Sequence, residues 1–352
     1  MFEPSPTDTP AVLIDLEIVQ RNIARTQDFF DGLRIALRPH IKTHKLPELA
    51  KMQIEAGAIG ITCQKIGEAE VMADAGISDI LITYNILGRE KLTRLRRLAE
   101  RCDLMVTADN AIVVDGLSGA FEEGPALKIL VECDTGHGRC GVQSPEDAAK
   151  LAQLIADAPG LQLKGLMTYP APTRMLDVED WLSRAKALLL RNGLPCPIVS
   201  SGGTPNLAAA RDVPSATEYR AGTYIYNDRS LIERGACSAE DCALAVKAMI
   251  VSRPTDDRAI VDAGSKILTS DLIGLSGYGL IPEAPGAVIA SLSEEHGTID
   301  LSNTNWDPKV GQTISIIPNH ACVVSNMVDT VHIAKSNGIV EPVAVAARGC
   351  IL

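Results

Sequence analysis

The sequence predicts an α/β protein: a (β/α)8 TIM-type barrel with a second, mostly β domain. Three observations lead there. From about residue 33 short apolar runs alternate with longer amphipathic segments. Eight such runs are enough to close a parallel barrel. Beyond about residue 240 helical periodicity gives way to short strand-like runs joined by Gly and Pro turns. An open doubly wound sheet is the alternative, but its usual GxGxxG after the first strand is missing.

Taken in order, "TPAVLIDL" is β-like and is expected to pair with the later domain. Barrel strands are expected at 35–42, 58–64, 79–85, 103–109, 127–134, 163–169, 197–201 and 223–227. Helices are expected between most of them, at 46–56, 65–75, 89–101, 145–158 and 177–192. In "SPEDAAKLAQLIADAPG" Ser144 can cap, Pro145 suits the first turn, and the acidic residues sit at the positive end. "RAIVDAG", "AVIASLSE", "GTIDLS" and "QTISIIPNHACVV" supply strands to the second domain. The division is an N-terminal strand region, 1–20, joined to the β domain, then a barrel, 21–238, and a β domain, 239–352.

Composition narrows the function. A formal net charge of -11 and a pI near 5.1 argue against nucleic acid or an anionic membrane as partner. Nine cysteines without a repeating spacing read as reduced thiols rather than a disulfide framework. With no signal-peptide pattern and no apolar run long enough to span a bilayer, a soluble cytoplasmic protein is expected.

One short stretch runs against the acidic balance. "RPHIKTHK", Arg38 to Lys45, holds five basic side chains in eight residues. Period-two alternation puts Ile35, Leu37, Pro39, Ile41 and Thr43 on one face and Arg34, Ala36, Arg38, His40, Lys42 and His44 on the other. As a first barrel strand, the basic row would point inward, with Lys42 and His44 at the C-terminal end where such barrels place active sites. Pro39 counts against a regular strand, because it donates no ladder bond. A lysine among cations and partly desolvated has a lowered pKa, the condition for an amine that attacks carbonyls. A solvated basic face binding some anion is the other reading this pattern allows.

The stretch resembles the cofactor-linking segment of fold-type III pyridoxal 5'-phosphate (PLP) enzymes of the D-threonine aldolase and D-serine dehydratase family. These are similar to alanine racemase in joining a barrel to a β domain. The resemblance runs through "TPAVLIDLEIVQRNIAR", "VECDTGHGRCGV", "SSGGTPN", "TEYRAGTYIYND", "PNHACVV" and "VAARG". It implies PLP as cofactor with Lys42, the first lysine of the motif, as its attachment point. Lys45 falls on the opposite face. His40 joins Lys42 as a catalytic candidate, its row keeping the amine reactive and balancing the phosphate.

Other cofactor contacts follow from the same resemblance. Ser201, Gly202, Gly203 and Thr204 would approach the phosphate, with Gly222, Thr223 and Tyr224 from the next segment; Gly-Gly after a strand is by itself a common turn. Arg139 would lie near the cofactor. Tyr169 would flank its ring and act in catalysis, or pack at the barrel end. Gln64 lies in "ITCQKIGEAE", which is similar to the aldolase branch. Arg220 either tunes the pyridine nitrogen or pairs with Glu218.

His320 and Cys322 stand two apart, so on a strand they project from one face. An HxC pair alone means little, but the resemblance implies a divalent metal there, with a thiolate favouring Zn over Mn or Mg. The implied function is a PLP- and metal-dependent lyase on D-β-hydroxy amino acids, foremost of the D-threonine aldolase type. A D-serine or D-3-hydroxyaspartate dehydratase is the alternative, which the resemblance of Cys322 to the zinc dehydratases favours. A racemase, for which Tyr278 would be the only β-domain tyrosine on offer, and a non-catalytic PLP-binding protein complete the field. The partners implied are a small-molecule D-amino acid and a second copy of the chain in a homodimer.

Overall fold

The chain divides into two units in the computed structural model, which describes residues 8–171 and 174–352. The first seven residues of the predicted N-terminal strand region lie outside the described residues. The barrel unit comprises Arg25–Lys42, Pro47–Gly222 and Cys350–Leu352; the β unit comprises Met1–Ala24, Thr43–Leu46 and Thr223–Gly349.

The chain opens with β1 (Ala11–Asp15) and α1 (Leu16–Leu33). The barrel strands are β2 (Ala36–Leu37), β3 (Ile61–Cys63), β4 (Asp79–Ile82), β5 (Asp103–Ala108), β6 (Leu127–Cys133), β7 (Leu161–Thr168), β8 (Ile198–Ser201) and β9 (Glu218–Tyr219). They form one parallel sheet in the order β2-β9-β8-β7-β6-β5-β4-β3. Its seam is drawn together by Ile59 N–H to the Leu37 carbonyl at 2.9 Å, Thr62 N–H to the Pro39 carbonyl at 2.8 Å, and a parallel bridge between His40 and Thr62. Between strands run α2 (Pro47–Glu55), α3 (Ile66–Asp74), α4 (Arg89–Ala99), α5 (Ala111–Phe121), α6 (Pro145–Asp157) and α7 (Met175–Arg191). Ser144 caps α6 as the sequence predicts, its hydroxyl accepting Asp147 N–H at 3.1 Å.

Two strand expectations need correction. The run 35–42 is a strand only at Ala36–Leu37, and Lys42 sits in a 3-10 turn, Ile41–Thr43. Pro39 supplies no N–H, which interrupts the regular ladder, but its carbonyl still accepts Thr62 N–H and His40 N–H reaches the Ala221 carbonyl at 2.8 Å. The chain turns after His40, and strict alternation fails beyond that point. The eighth strand is Glu218–Tyr219 rather than 223–227, where Thr223–Ile225 is another 3-10 turn. Tyr224, Ile225 and Tyr226 are all buried, and a short apolar run reads like a strand whatever its backbone does.

Alternation along the strands makes two layers. Leu104 and Val106 of β5, and Ile129 and Val131 of β6, pack outward against the helices. Met105 and Leu130 turn inward and meet Leu81 and Met167 in a lumen plug. One pleat further along each strand the inward positions become polar: Thr107, Glu132 and Ser200, all buried. The barrel thus opens toward the C-terminal ends of its strands through a polar layer.

In the β unit β10 (Leu244–Thr255) pairs antiparallel with β1, β11 (Arg258–Val261) and β14 (Thr313–Ile316). β12 (Val288–Leu292) and β13 (Gly297–Asp300) extend the β11 side, while β15 (Thr330–Ala334) and β16 (Val340–Ala344) extend the β1 side. Three short helices, α8 (Arg229–Glu233), α9 (Ser265–Leu268) and α10 (Ala321–Met327), interrupt the sheet. "QTISIIPNHACVV" therefore splits into β14 and α10, so His320 and Cys322 lie at a helix start and not along a strand. Among the described residues no helix is long and apolar enough to cross a membrane.

Candidate active site

Lys42 is half-buried, and its N–H donates to His40 Nδ1 at 3.4 Å. His40 Nε2 lies 3.1 Å from Gln64 Oε1, while the Gln64 amide nitrogen donates to the Thr83 carbonyl at 2.8 Å. The bond to Thr83 orients the amide so that the oxygen of Gln64 faces His40 and accepts from Nε2, while Nδ1 accepts from Lys42 N–H. His40 therefore carries its proton on Nε2 and a lone pair on Nδ1, the neutral tautomer.

The inward row is thus not the uniform cationic face that alternation suggests. Arg38 Nε donates to Glu218 Oε2 at 2.8 Å, and the guanidinium also pairs with Asp79. His44 is fully buried in the β unit, where its Nδ1 accepts Leu46 N–H at 3.1 Å. Lys45, at φ 59°, is buried there too and donates to the Ala347 carbonyl at 3.3 Å. That position gives Lys45 a structural task and leaves Lys42 as the motif lysine of the barrel unit.

After β8 the chain runs through Ser201, Gly202, Gly203 and Thr204. Gly202 has φ 107°, and a Cβ there would stand 2.3 Å from the Tyr219 ring. A Cβ on Gly203 would stand 2.6 Å from the Tyr169 ring. The Tyr219 hydroxyl donates to the Gly203 carbonyl at 2.9 Å, and Thr204 Oγ1 accepts Gly222 N–H at 3.2 Å. Two aromatic rings keep this loop bare, and bare backbone is what a phosphate needs for close approach. The loop fits the PLP phosphate. Thr223 and Tyr224, predicted with it, fall in the β unit, and the Thr223 hydroxyl lies 3.6 Å from Cys322 Sγ.

Tyr169 follows β7 and packs edge-on to His137 at 4.9 Å between centroids; the exposed Arg139 guanidinium lies 5.0 Å from the same ring. Arg220 is buried, its Nε donating to Ser200 Oγ at 2.9 Å and an Nη to the Thr168 carbonyl at 2.5 Å. Ser200 in turn donates to Glu218 at 2.6 Å, so the hydroxyl stands between Arg220 and that carboxylate. Burial lowers the Arg220 pKa against the opposing charges of Glu218 and Glu132.

Sequence reasoning missed Glu132 and Asp134. Burial raises the Glu132 carboxyl, with Arg220 and Arg139 holding part of the rise back. Alternation along β6, which aligns Lys128, Leu130 and Glu132, carried the signal. Burial works against ionisation of Asp134, but bonds from Gly138 and Gly136 N–H prevail and lower its pKa. Asp134 thereby shapes the loop that holds His137 and Arg139.

In the β unit His320 precedes α10 and Cys322 is that helix's second residue. His320 Nδ1 meets the fully buried Asp228 Oδ2 at 3.0 Å, leaving Nε2 as the other ring nitrogen. Thr43 Oγ1 lies 3.1 Å from Cys322 Sγ. Burial opposes charge on His320, but Cys322 and Asp228 prevail and push its pKa up to about 10. The Tyr226 hydroxyl, whose ionisation burial and then Cys322 disfavour, has no hydrogen-bond partner among the described residues. Among the described residues no group of three or more His, Cys, Asp or Glu is arranged to hold a metal. An imidazole nitrogen and a thiolate would supply two of the four ligands usual for zinc, and this borderline-soft donor set suits that ion.

A parallel barrel with a lysine at its mouth and a bare glycine loop, continued by a β unit, defines the alanine racemase-like class. Residues 14–230 match the family described as "Alanine racemase, N-terminal domain", and residues 243–334 that described as "Putative serine dehydratase domain". The chain is 33% identical to the D-threonine aldolase of Arthrobacter sp, over 97% of this chain and 93% of that one. It is also 33% identical to the D-threo-3-hydroxyaspartate dehydratase of Delftia sp., over 95% of this chain and 96% of that one. The crystal structure of D-threonine aldolase from Filomicrobium marinum superposes with a TM-score of 0.91 at 33% identity, covering 98% of this chain and 97% of that one. The chain belongs to the alanine racemase-like family in which the barrel is followed by a serine dehydratase domain. The family's lyases depend on PLP, and one solved D-threo-3-hydroxyaspartate dehydratase is a cysteine-to-alanine mutant in the metal-free form, consistent with a divalent metal in the group.

Proposed function

We propose that the protein is a PLP- and divalent-metal-dependent lyase that cleaves D-β-hydroxy amino acids, D-threonine foremost, to glycine and an aldehyde. The observation that carries this reading is the full-length likeness to D-threonine aldolase at a TM-score of 0.91, which extends into the β unit with His320 and Cys322. When bound, PLP supplies an electron sink at Cα and a divalent ion supplies a Lewis acid toward the β-hydroxyl.

The chain's own residues then have distinct tasks. Lys42 holds the cofactor, the loop from Ser201 to Thr204 with Gly222 binds its phosphate, and Tyr169 orients its ring. His40, neutral and fixed by Gln64, steadies the backbone at Lys42. His320 and Cys322 hold the ion, with zinc favoured over Mn or Mg by the thiolate. In the net reaction the Cα–Cβ bond breaks, the hydroxyl loses its proton, and Cα gains one. A homodimer acting on a small D-amino acid is part of the same proposal.

A dehydratase is the second reading, and Cys322 favours it by its resemblance to the zinc-dependent dehydratases. There Lys42 Nζ would remove the α-proton and the β-hydroxyl would leave as water. The resulting enamine would tautomerise to an imine that a second water hydrolyses to a keto acid and ammonia. Product analysis with metal-loaded protein and D-threonine separates the two. Glycine with acetaldehyde supports the aldolase, and 2-oxobutyrate with ammonia supports the dehydratase. If D-threonine, D-serine and D-3-hydroxyaspartate are all inert, both readings fail.

A further inference from the structure

Asp228 accounts for more of the β unit's polar geometry than its place in the sequence suggests. It is fully buried, and both carboxylate oxygens are committed. Oδ1 accepts the Ser230 hydroxyl at 2.6 Å and Leu231 N–H at 3.2 Å, which caps α8. Oδ2 accepts Ala321 N–H at 3.1 Å and faces His320 Nδ1 at 3.0 Å. An ionised carboxylate only accepts, so the His320 proton in this contact belongs to Nδ1. Four donors occupy the acceptor sites of Asp228, which leaves it poorly placed to ligate an ion itself.

We propose that Asp228 is a positioning residue for the metal-binding pair: it fixes His320 as the Nδ1–H tautomer and presents Nε2 to the ion. The inference rests on the reading that His320 and Cys322 bind a divalent metal. A histidine ligand whose far nitrogen donates to a carboxylate is held in one ring orientation and made more basic. One residue here serves both the start of α8 and, 92 positions along the chain, the imidazole before α10. The ligand ring is thereby fastened to the fold at two points, its own backbone and Asp228.

The test is zinc affinity of the PLP-loaded full chain, measured by competition with a chromophoric chelator. In Asp228→Asn one oxygen is replaced by an NH2, so a donor must face either His320 or the cap. Affinity is expected to fall by about 10- to 100-fold. Ser230→Ala, which removes a bond to Oδ1 only, is expected to leave affinity unchanged while lowering thermal stability. Wild-type affinity in Asp228→Asn would overturn the proposal. So would an equal loss in Ser230→Ala, because the effect would then be structural. If Asp228→Asn does not fold, nitrogen-15 NMR of the zinc-loaded wild type decides: a proton on Nδ1 of His320 supports the proposal, and one on Nε2 overturns it. A wild type that takes up no zinc, or a His320→Ala variant that binds it as tightly, would defeat the metal reading itself and this inference with it.

Discussion

Gly203 lies so close to Tyr169 that a single added methyl would stand 2.6 Å from the tyrosine ring. The glycine loop and the aromatic side chain at the end of β7 therefore constrain each other. Gly203→Ala forces one of them to shift, and overpacking of this kind costs about 1–3 kcal/mol. A lower urea midpoint with weakened PLP binding, read by cofactor fluorescence titration, is the expected outcome. Unchanged PLP affinity would mean that the loop is not a cofactor contact.

The two lysines of the basic stretch should behave differently. Lys42→Ala is expected to abolish borohydride-fixed cofactor on the protein, detected as a lysine adduct by peptide mapping. Lys45→Ala should keep the adduct but lose stability, because its buried ammonium donates to the Ala347 carbonyl. A bond from a charged donor is worth about 1.5–3 kcal/mol. The reverse pattern would reassign the attachment point.

Arg38 and Glu218 form a buried ion pair at 2.8 Å, with side chains 5% and 3% exposed. Arg38→Met would strip Glu218 of the guanidinium it contacts directly, leaving only its Ser200 bond and the more distant charge of Arg220. Stripping one partner from such a pair costs about 3–5 kcal/mol, which equilibrium unfolding would resolve. A loss under about 1 kcal/mol, the range of exposed pairs, would show that Ser200 and Arg220 compensate for its removal.

Thiol reactivity should follow the local fields. A hydrogen bond with Cys242 lowers the Cys237 pKa against its partial burial, whereas burial pushes Cys102 and Cys196 up to about 11. Alkylation requires the thiolate, whose fraction grows as pH rises through the pKa. Cys237 should label first and reach its plateau at a lower pH than an ordinary thiol, while Cys102 and Cys196 should stay protected at pH 8. Quantitative mass mapping of iodoacetamide adducts checks the order, and equal labelling of the three would contradict it.

Much of the barrel could be read in advance because its strands alternate cleanly. In 103–109 and 127–134 every second residue packs on the helices, and the structure places β5 and β6 there. The first strand could not be read so simply: regular pairing stops at Leu37, the backbone still bonds to both neighbours through His40, and the turn at Ile41–Thr43 then takes Lys42 out of the strand. "NHACVV" misled for another reason: a seven-residue helix is too short to show its period against an apolar run. Asp228 gave no local signal, because its meaning depends on His320, far along the chain. Charge counting failed for the same reason, as the countercharges of Arg38 come from Asp79 and Glu218.

The most direct test of the proposed lyase is the initial rate of glycine release from D-threonine by the PLP-loaded chain, before chelation, after it, and after zinc is restored. The rate is expected to collapse with the chelator and to return with the metal, while L-threonine stays inert throughout. An undiminished rate in the chelated protein, or equal cleavage of both enantiomers, would contradict a D-specific enzyme that depends on His320 and Cys322.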